Sequence, residues 1–177
     1  MIRIKKGLEA DYIVFVFFIC SIVAWFLEML YSLIFRFVFV IPGSLYGPWC
    51  PIYGVAALFL LLFINKDVKK SKVFLEMFFL TSIIEYLGSI ITDRLFNITF
   101  WDYSDFMFNI NGRICLLMTL VFTFMSVIFL YFSEPKLEKI YYKNRDAIYN
   151  SNKVLLIIFM IDLFIKLYMT GWYYEYI

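Results

Sequence analysis

The chain has 177 residues, of which 64% are hydrophobic and 23% aromatic, and its formal net charge is +2. The interior of a soluble domain of this length cannot bury so large an apolar fraction. The composition therefore indicates an integral membrane protein. The absence of histidine excludes imidazole bases, histidine-ligated metals and Ser-His-Asp or Cys-His nucleophiles. Basic residues cluster between apolar runs, which is typical of membrane flanks and gives no indication of nucleic-acid binding.

Five apolar segments are candidates for transmembrane helices in a single domain that covers residues 1–177. They comprise residues 12–35, 51–64, 73–92, 114–132 and 154–174. A spanning helix needs about 20 apolar residues, and only the second segment is clearly shorter. The first run is too long for the apolar region of a cleaved signal peptide, so we interpret it as a retained signal anchor. The predicted fold class is therefore all-α and membrane-integral.

The distribution of basic residues predicts the orientation. Most of them precede the first helix or fill the second and fourth connections, namely Arg3, Lys5, Lys6, Lys66, Lys69, Lys70, Lys72, Lys136, Lys139, Lys143, Arg145 and Lys153. The positive-inside rule then places the N-terminus in the cytoplasm and the C-terminus outside, in a bacterial inner membrane. Trp49, Trp101 and Trp172 fall near the outer interface in this orientation, as expected for an aromatic belt.

The stretch GSLYGPWCPIYG, residues 43–54, places glycines and prolines directly before the short second helix. A helix of about 14 residues at ~1.5 Å per residue covers only about 21 Å of a ~30 Å hydrocarbon core. We therefore predict a re-entrant or broken segment that is buried in protein or lines a cavity. Pro51 suits the first helical position, where the free amides and the helix dipole would favour a negative charge.

Glu28 and Glu85 are the candidate ligand-binding carboxylates of the membrane interior. Each precedes a charged residue at the outer boundary, Arg36 or Asp93, by eight positions, so each lies on the order of 12 Å below that boundary. Polar residues share their helical faces, namely Ser21, Trp25, Ser32, Thr81, Ser82, Ser89 and Thr92. An ionised carboxylate costs ~2.5–3.5 kcal/mol in hydrocarbon, so the two faces should meet and bind a cation or proton. Protonated glutamates that only bond helices together are the alternative.

The connection from Asp93 to Gly112 is predicted to be an external aromatic loop that covers the helix ends. Asp102 and Ser104 could cap a turn, and Asn111-Gly112 is a common turn dipeptide. Arg113, at the start of the fourth helix, should pair with Asp102, Glu28 or Glu85, or hold an anionic ligand.

The C-terminal part of the chain carries three further predictions. Residues 135–149 read as an interfacial helix on the inner membrane surface, with docking to an ATPase as the alternative. Asp162 and Lys166, one turn apart, should form an ion pair, or else contact a ligand or a partner subunit. Cys50 and Cys115 both lie toward the outside, so a disulfide is allowed, although two free buried thiols are the alternative.

Several motifs resemble a bacterial multi-pass family described as putative ABC-transporter type IV membrane proteins. They are GPWCPIYG, the glutamate of AWFLEMLY, IEYLGS, and WDYS followed by NINGRI, and the resemblance spans roughly residues 15–125. It implies functional or structural roles for Glu28, Gly47, Pro48, Cys50, Pro51, Tyr53, Gly54, Glu85, Tyr86, Ser89, Trp101, Asp102, Tyr103, Ser104, Asn111, Gly112 and Arg113. Phe100 departs from the paired tryptophan expected before the WDYS motif.

The leading functional hypothesis is a membrane component of a transport system with an outward-facing carboxylate site. Glu28 and Glu85 would bind or exchange a cation or proton, and no intrinsic cofactor is expected. The partners would be the bilayer and a separate ATPase subunit or a second copy of the chain, because no phosphate-binding loop occurs in the sequence. Alternatives are an intramembrane enzyme that uses the two glutamates on a lipid or polyprenyl substrate, and a helix-packing scaffold.

Overall fold

A computed structural model describes residues 9–97 and 99–175, without the side chains at position 36 and from position 171 onward. Within these residues the chain forms five helices and one short hairpin, which confirms the predicted all-α class. The helices are α1 Ala10–Arg36, α2 Pro51–Phe63, α3 Lys70–Phe96, α4 Leu116–Lys143 and α5 Arg145–Glu175. The hairpin pairs β1 Asn109–Ile110 with β2 Ile114–Cys115 in an antiparallel arrangement.

Three of the helices, α1, α3 and α4, are long and apolar enough to cross a membrane. Helix α2 has 13 residues and is about 20 Å long, so it is too short to cross, as predicted. The predicted span at residues 154–174 reaches beyond the described side chains and stays a prediction. The basic residues Arg3, Lys5 and Lys6, on which the orientation partly depends, also lie outside the described residues.

Helix α4 contains one π-helical turn, Phe129–Ser133, and continues as an α-helix to Lys143. Pro135 follows this turn and has no backbone N–H to donate, which favours a local departure from α-helical hydrogen bonding. The Leu130 carbonyl accepts a hydrogen bond from the Lys66 ammonium, with Nζ 3.1 Å away. The same ammonium pairs with the buried Glu134 carboxylate, so the α2–α3 connection is fixed to α4 at the π-turn.

The prediction of one interfacial helix over residues 135–149 is wrong in its boundaries. Residues Glu134–Lys143 continue α4, and the helix is interrupted at Asn144 before α5 begins. The Asn144 side chain donates to the Ile140 carbonyl at 3.0 Å, a local bond of the kind that competes with helix continuation. Tyr141 is buried against Tyr12 of α1, with ring centroids 5.2 Å apart, so this part of α4 belongs to the helix bundle.

Helix α2 packs between α1 and α3 through small residues. At Gly54, a Cβ atom would lie 2.8 Å from the Phe17 carbonyl oxygen of α1, so only glycine allows this approach. At Gly88, a Cβ atom would lie 2.6 Å from Ile52 Cδ1 of α2. The close contacts bring the N-terminal end of α2 against the faces of α1 and α3 that carry Glu28 and Glu85.

Candidate functional site

The chain between α1 and α2 returns along α1 to the middle of that helix. The Cys50 amide donates to the Ser21 carbonyl at 3.0 Å. Ser21 lies fifteen residues before Arg36, so α2 begins about 22 Å along the helix axis from the C-terminal end of α1. Pro51 occupies the first turn of α2, as predicted. The predicted broken segment is therefore confirmed, and we call residues 37–50 the re-entrant segment.

A carboxylate from α5 holds the re-entrant segment. Asp162 Oδ1 accepts the Tyr46 amide at 3.0 Å, and Oδ2 accepts the Gly47 amide at 2.8 Å and Trp49 Nε1 at 2.7 Å. The expected ion pair between Asp162 and Lys166 is not formed, because the loop donors take both carboxylate oxygens. Lys166 Nζ lies instead 5.1 Å from the centroid of the Tyr46 ring.

Glu28 lies beside the first turn of α2. Its Oε1 accepts the Tyr53 hydroxyl at 2.6 Å, and its Oε2 accepts the Cys50 thiol at 3.6 Å. Glu28 is partly exposed, whereas Cys50 is buried. The carboxyl group near this helix end is thus a side chain of the protein, at the position where the sequence predicted a preference for negative charge.

Glu85 is buried in α3 with a relative exposure of 5%. Within the described part of the chain, neither of its carboxylate oxygens has a hydrogen-bond partner. The Tyr103 hydroxyl of the α3–α4 loop interacts with this carboxylate, although the contact does not have the geometry of a well-formed hydrogen bond. Burial, then the Glu85 carboxylate and more weakly the Glu28 carboxylate, raise the pKa of the Tyr103 hydroxyl. Tyr103 therefore lies within the electrostatic influence of both glutamates.

Arg113 pairs with a carboxylate that the sequence interpretation did not consider. Its Nη1 lies 2.6 Å from Asp93 Oδ2 and donates to Ser89 Oγ at 2.7 Å. The predicted pairing with Asp102, Glu28 or Glu85 is therefore wrong. The helical spacing could have indicated this partner, because Ser89 and Asp93 continue the Glu85 face of α3 at intervals of four residues.

The loop between α3 and α4 is built on turns. Asp102 Oδ1 accepts the Ser104 hydroxyl and also the Ser104 amide, the latter at 2.9 Å, and these two bonds lower the pKa of Asp102. Asn111 and Gly112 have φ values of 54° and 68°, and the Arg113 amide donates to the Ile110 carbonyl at 3.0 Å. Positive φ at both central residues is what a primed hairpin turn requires, so Asn-Gly is the expected pair here.

One side-chain bond holds this loop to its own hairpin, and another attaches it to α3. Trp101 Nε1 donates to the Arg113 carbonyl at 2.9 Å, and Asn111 Nδ2 donates to the Tyr86 hydroxyl of α3 at 2.9 Å. The Tyr103 amide also donates to the Gly112 carbonyl at 2.7 Å, which closes the loop on itself. The loop thereby positions Tyr103 over the glutamates.

The predicted site residues separate into three groups. The inner group consists of Glu28, Cys50, Tyr53, Glu85 and Tyr103. An outer group joins the loop to α3 and comprises Tyr86, Ser89, Trp101, Asn111 and Arg113. The remainder shape the backbone or are exposed, namely Gly47, Pro48, Pro51, Gly54, Asp102, Ser104 and Gly112. Sequence reasoning missed the roles of Asp93 and Asp162.

The thiols and carboxylates of the site form neither a disulfide nor a metal cluster. Cys20, Cys50 and Cys115 are free, and the last two are buried, as in the alternative to a disulfide. No group of three or more Cys, Asp or Glu side chains suitable for a metal ion occurs among residues 9–97 and 99–175.

Comparison with known proteins places the chain in one family. No curated protein and no solved structure gives a significant match. A family model with the description putative ABC-transporter type IV matches residues 15–167. This range extends past the expected end near residue 125 and includes Asp162 of α5. Because the match covers most of the chain, this membrane protein belongs to the putative ABC-transporter type IV family.

Proposed function

We propose that the protein is the membrane component of a transport system and that Glu28 and Glu85 exchange a proton at an outward-facing site. The observation that carries this proposal is the Glu85 carboxyl, which is 5% exposed and makes no well-formed hydrogen bond within the described chain, with the Tyr103 hydroxyl as its polar neighbour. Buried polar groups are almost always hydrogen-bonded, and intramembrane carboxylates usually mark ion or proton pathways.

The neighbours of the glutamates favour a proton over a metal ion. The groups around Glu28 are the Tyr53 hydroxyl and the Cys50 thiol, both of which are neutral donors. A divalent cation would need several oxygen ligands, and the described residues contain no such cluster. A single buried carboxylate can instead be neutralised by one proton, which removes the cost of its charge in the membrane.

The geometry supports a route by which a proton reaches Glu85. Glu28 is partly exposed and Glu85 is buried, while the hydroxyl of Tyr103 is influenced by both carboxylates. Glu28 therefore acts as the exposed acceptor and Glu85 as the buried one, with the tyrosine hydroxyl near both. The N-terminus is cytoplasmic in this proposal, and ATP is hydrolysed by a separate subunit.

Infrared difference spectroscopy on the purified protein during a pH titration tests this proposal without the ATPase. Protonated Glu85 should give a carboxyl C=O band that disappears on alkalinisation, and Glu85→Gln should remove it. Glu76→Gln is the matched control, because Glu76 lies on the same helix but pairs with Lys72 at 3.7 Å on the surface. A wild-type spectrum without a Glu85 band at any pH would contradict proton exchange, whereas a response to Na⁺ or K⁺ alone would indicate a cation.

A further inference from the structure

The last helix contributes a residue to the arrangement of the glutamate site. We propose that Asp162 is a positioning residue, which holds the re-entrant segment so that Cys50 and Tyr53 reach Glu28. The importance of Asp162 for proton exchange rests on the proposed function, but its role in holding the re-entrant segment can be tested without that function.

The contacts of Asp162 account for both of its oxygens. They accept two backbone amides and one indole N–H across sequence separations of 113 to 116 residues, at 2.7 to 3.0 Å. Its relative exposure is 8%, so water does not compete strongly for these donors. An ionised carboxylate has only acceptors, which matches three converging N–H groups, and charge-assisted bonds of this kind are stronger than neutral ones.

Trp49 transmits this restraint to the site. Its ring is 3% exposed and packs against Phe18 of α1 and Phe159 of α5, with centroid distances of 6.3 and 5.7 Å. The next residue is Cys50, which donates its amide to the Ser21 carbonyl and its thiol to Glu28. Cys50 is therefore fixed by α5 on one side and by α1 on the other.

Near the site, the described re-entrant segment has few other hydrogen bonds to the helices, and its remaining attachment is the packing of Leu45 and Trp49 against Leu155, Phe159 and Leu163. Besides the bond from Cys50 to Ser21, two backbone bonds occur at this end. One runs from the Trp49 amide to the Gly47 carbonyl at 2.9 Å, within the segment, and the other from the Tyr53 amide to the Cys50 carbonyl at 3.2 Å, in the first turn of α2. Neither bond attaches residues 46–49 to a helix. Loss of the Asp162 carboxylate should therefore free residues 46–49 and displace the Cys50 thiol from Glu28.

The experiment uses Cys50 as a reporter in the full chain with Cys20→Ala and Cys115→Ala. Alkylation of Cys50 by N-ethylmaleimide is measured by mass spectrometry, and the S–H stretching band is measured by infrared spectroscopy. Asp162→Asn preserves the size of the side chain, but the NH₂ group that replaces one carboxylate oxygen cannot accept a hydrogen bond. Asp146→Asn is the matched control, because Asp146 is an exposed acid in the first turn of the same helix.

We expect Asp162→Asn to raise the alkylation rate about tenfold or more, since loss of a hydrogen bond to a charged group shifts an equilibrium by about that factor. The S–H band should move to the frequency of a thiol without an acceptor, as in Glu28→Leu. If Asp162 only stabilised the fold, Asp162→Asn would lower the stability of the protein without this shift of the S–H band. Asp146→Asn should leave both signals unchanged.

A folded Asp162→Asn protein with wild-type alkylation and an unshifted S–H band would overturn the proposal. If that variant does not insert, Trp49→Phe supplies the test, because it removes one of the three donors and keeps an aromatic ring. It should accelerate alkylation by a smaller factor, and an unchanged rate would also overturn the proposal. Glu85→Gln should not affect Cys50, so failure of proton exchange and failure of the positioning role give different results.

Discussion

Replacement of Glu85 by leucine should stabilise the protein while it abolishes proton binding. The two buried oxygens make no hydrogen bond of normal geometry in the described chain, and their interaction with the Tyr103 hydroxyl falls short of that geometry, so the substitution breaks no well-formed hydrogen bond. An unsatisfied buried polar group costs about 1–3 kcal/mol, and leucine removes that cost. We therefore expect the free energy of unfolding to rise by about 1–3 kcal/mol. Such a gain in stability with loss of activity is typical of residues retained for function.

The same substitution at Glu28 should have the opposite effect on stability. Glu28→Leu breaks the 2.6 Å bond from the Tyr53 hydroxyl and leaves that hydroxyl without its acceptor. The expected loss is about 1–3 kcal/mol. If both glutamates only bonded helices together, both leucine variants would instead lose roughly 0.6 kcal/mol, and at most about 1.7 kcal/mol.

The assay is reversible unfolding in mixed micelles, followed by circular dichroism, with proton binding measured in parallel by infrared spectroscopy. Glu76→Leu is the control for the gain of a leucine on α3, and its stability should change little because Glu76 is a surface residue of a solvated pair. A Glu85→Leu variant that is less stable than the wild type would refute the reasoning, since it would show that Glu85 makes a stabilising bond.

Three further predictions concern the outer side of the molecule. Asp105→Cys should react with an impermeant maleimide from outside and Lys139→Cys should not; the reverse pattern would invert the orientation. Arg113→Gln and Asp93→Asn should each destabilise by about 1–2 kcal/mol and together by less than the sum, because the two groups share one ion pair. The lowered pKa of Asp102 means that its contribution is present at neutral pH and is lost as the pH falls through that pKa. The protection of the hairpin amides from hydrogen exchange in Asp102→Asn at neutral pH should therefore equal that of the wild type in acid. Equal protection of the two proteins at neutral pH would contradict this.

The sequence by itself determined the features that depend on local chemistry. The lengths of the apolar segments predicted the helices and the short α2, because the distance between polar residues decides whether a segment is long enough to cross a bilayer. Pro51 predicted the start of α2 and Asn111-Gly112 predicted the hairpin turn, because both depend on the φ values that a residue can adopt. Residues 135–149 were misassigned, because the pattern of apolar residues did not indicate the interruption at Asn144, whose side chain bonds the Ile140 carbonyl.

Only the tertiary structure decided which polar groups meet. Asp162 could equally have paired with Lys166 one turn away, and nothing in the spacing indicated donors more than a hundred residues earlier in the chain. Arg113 had several carboxylates available, and the packing of the hairpin against α3 selected Asp93. A buried charge takes the partner that completes its hydrogen bonds in the folded chain, and that partner is set by how the helices pack.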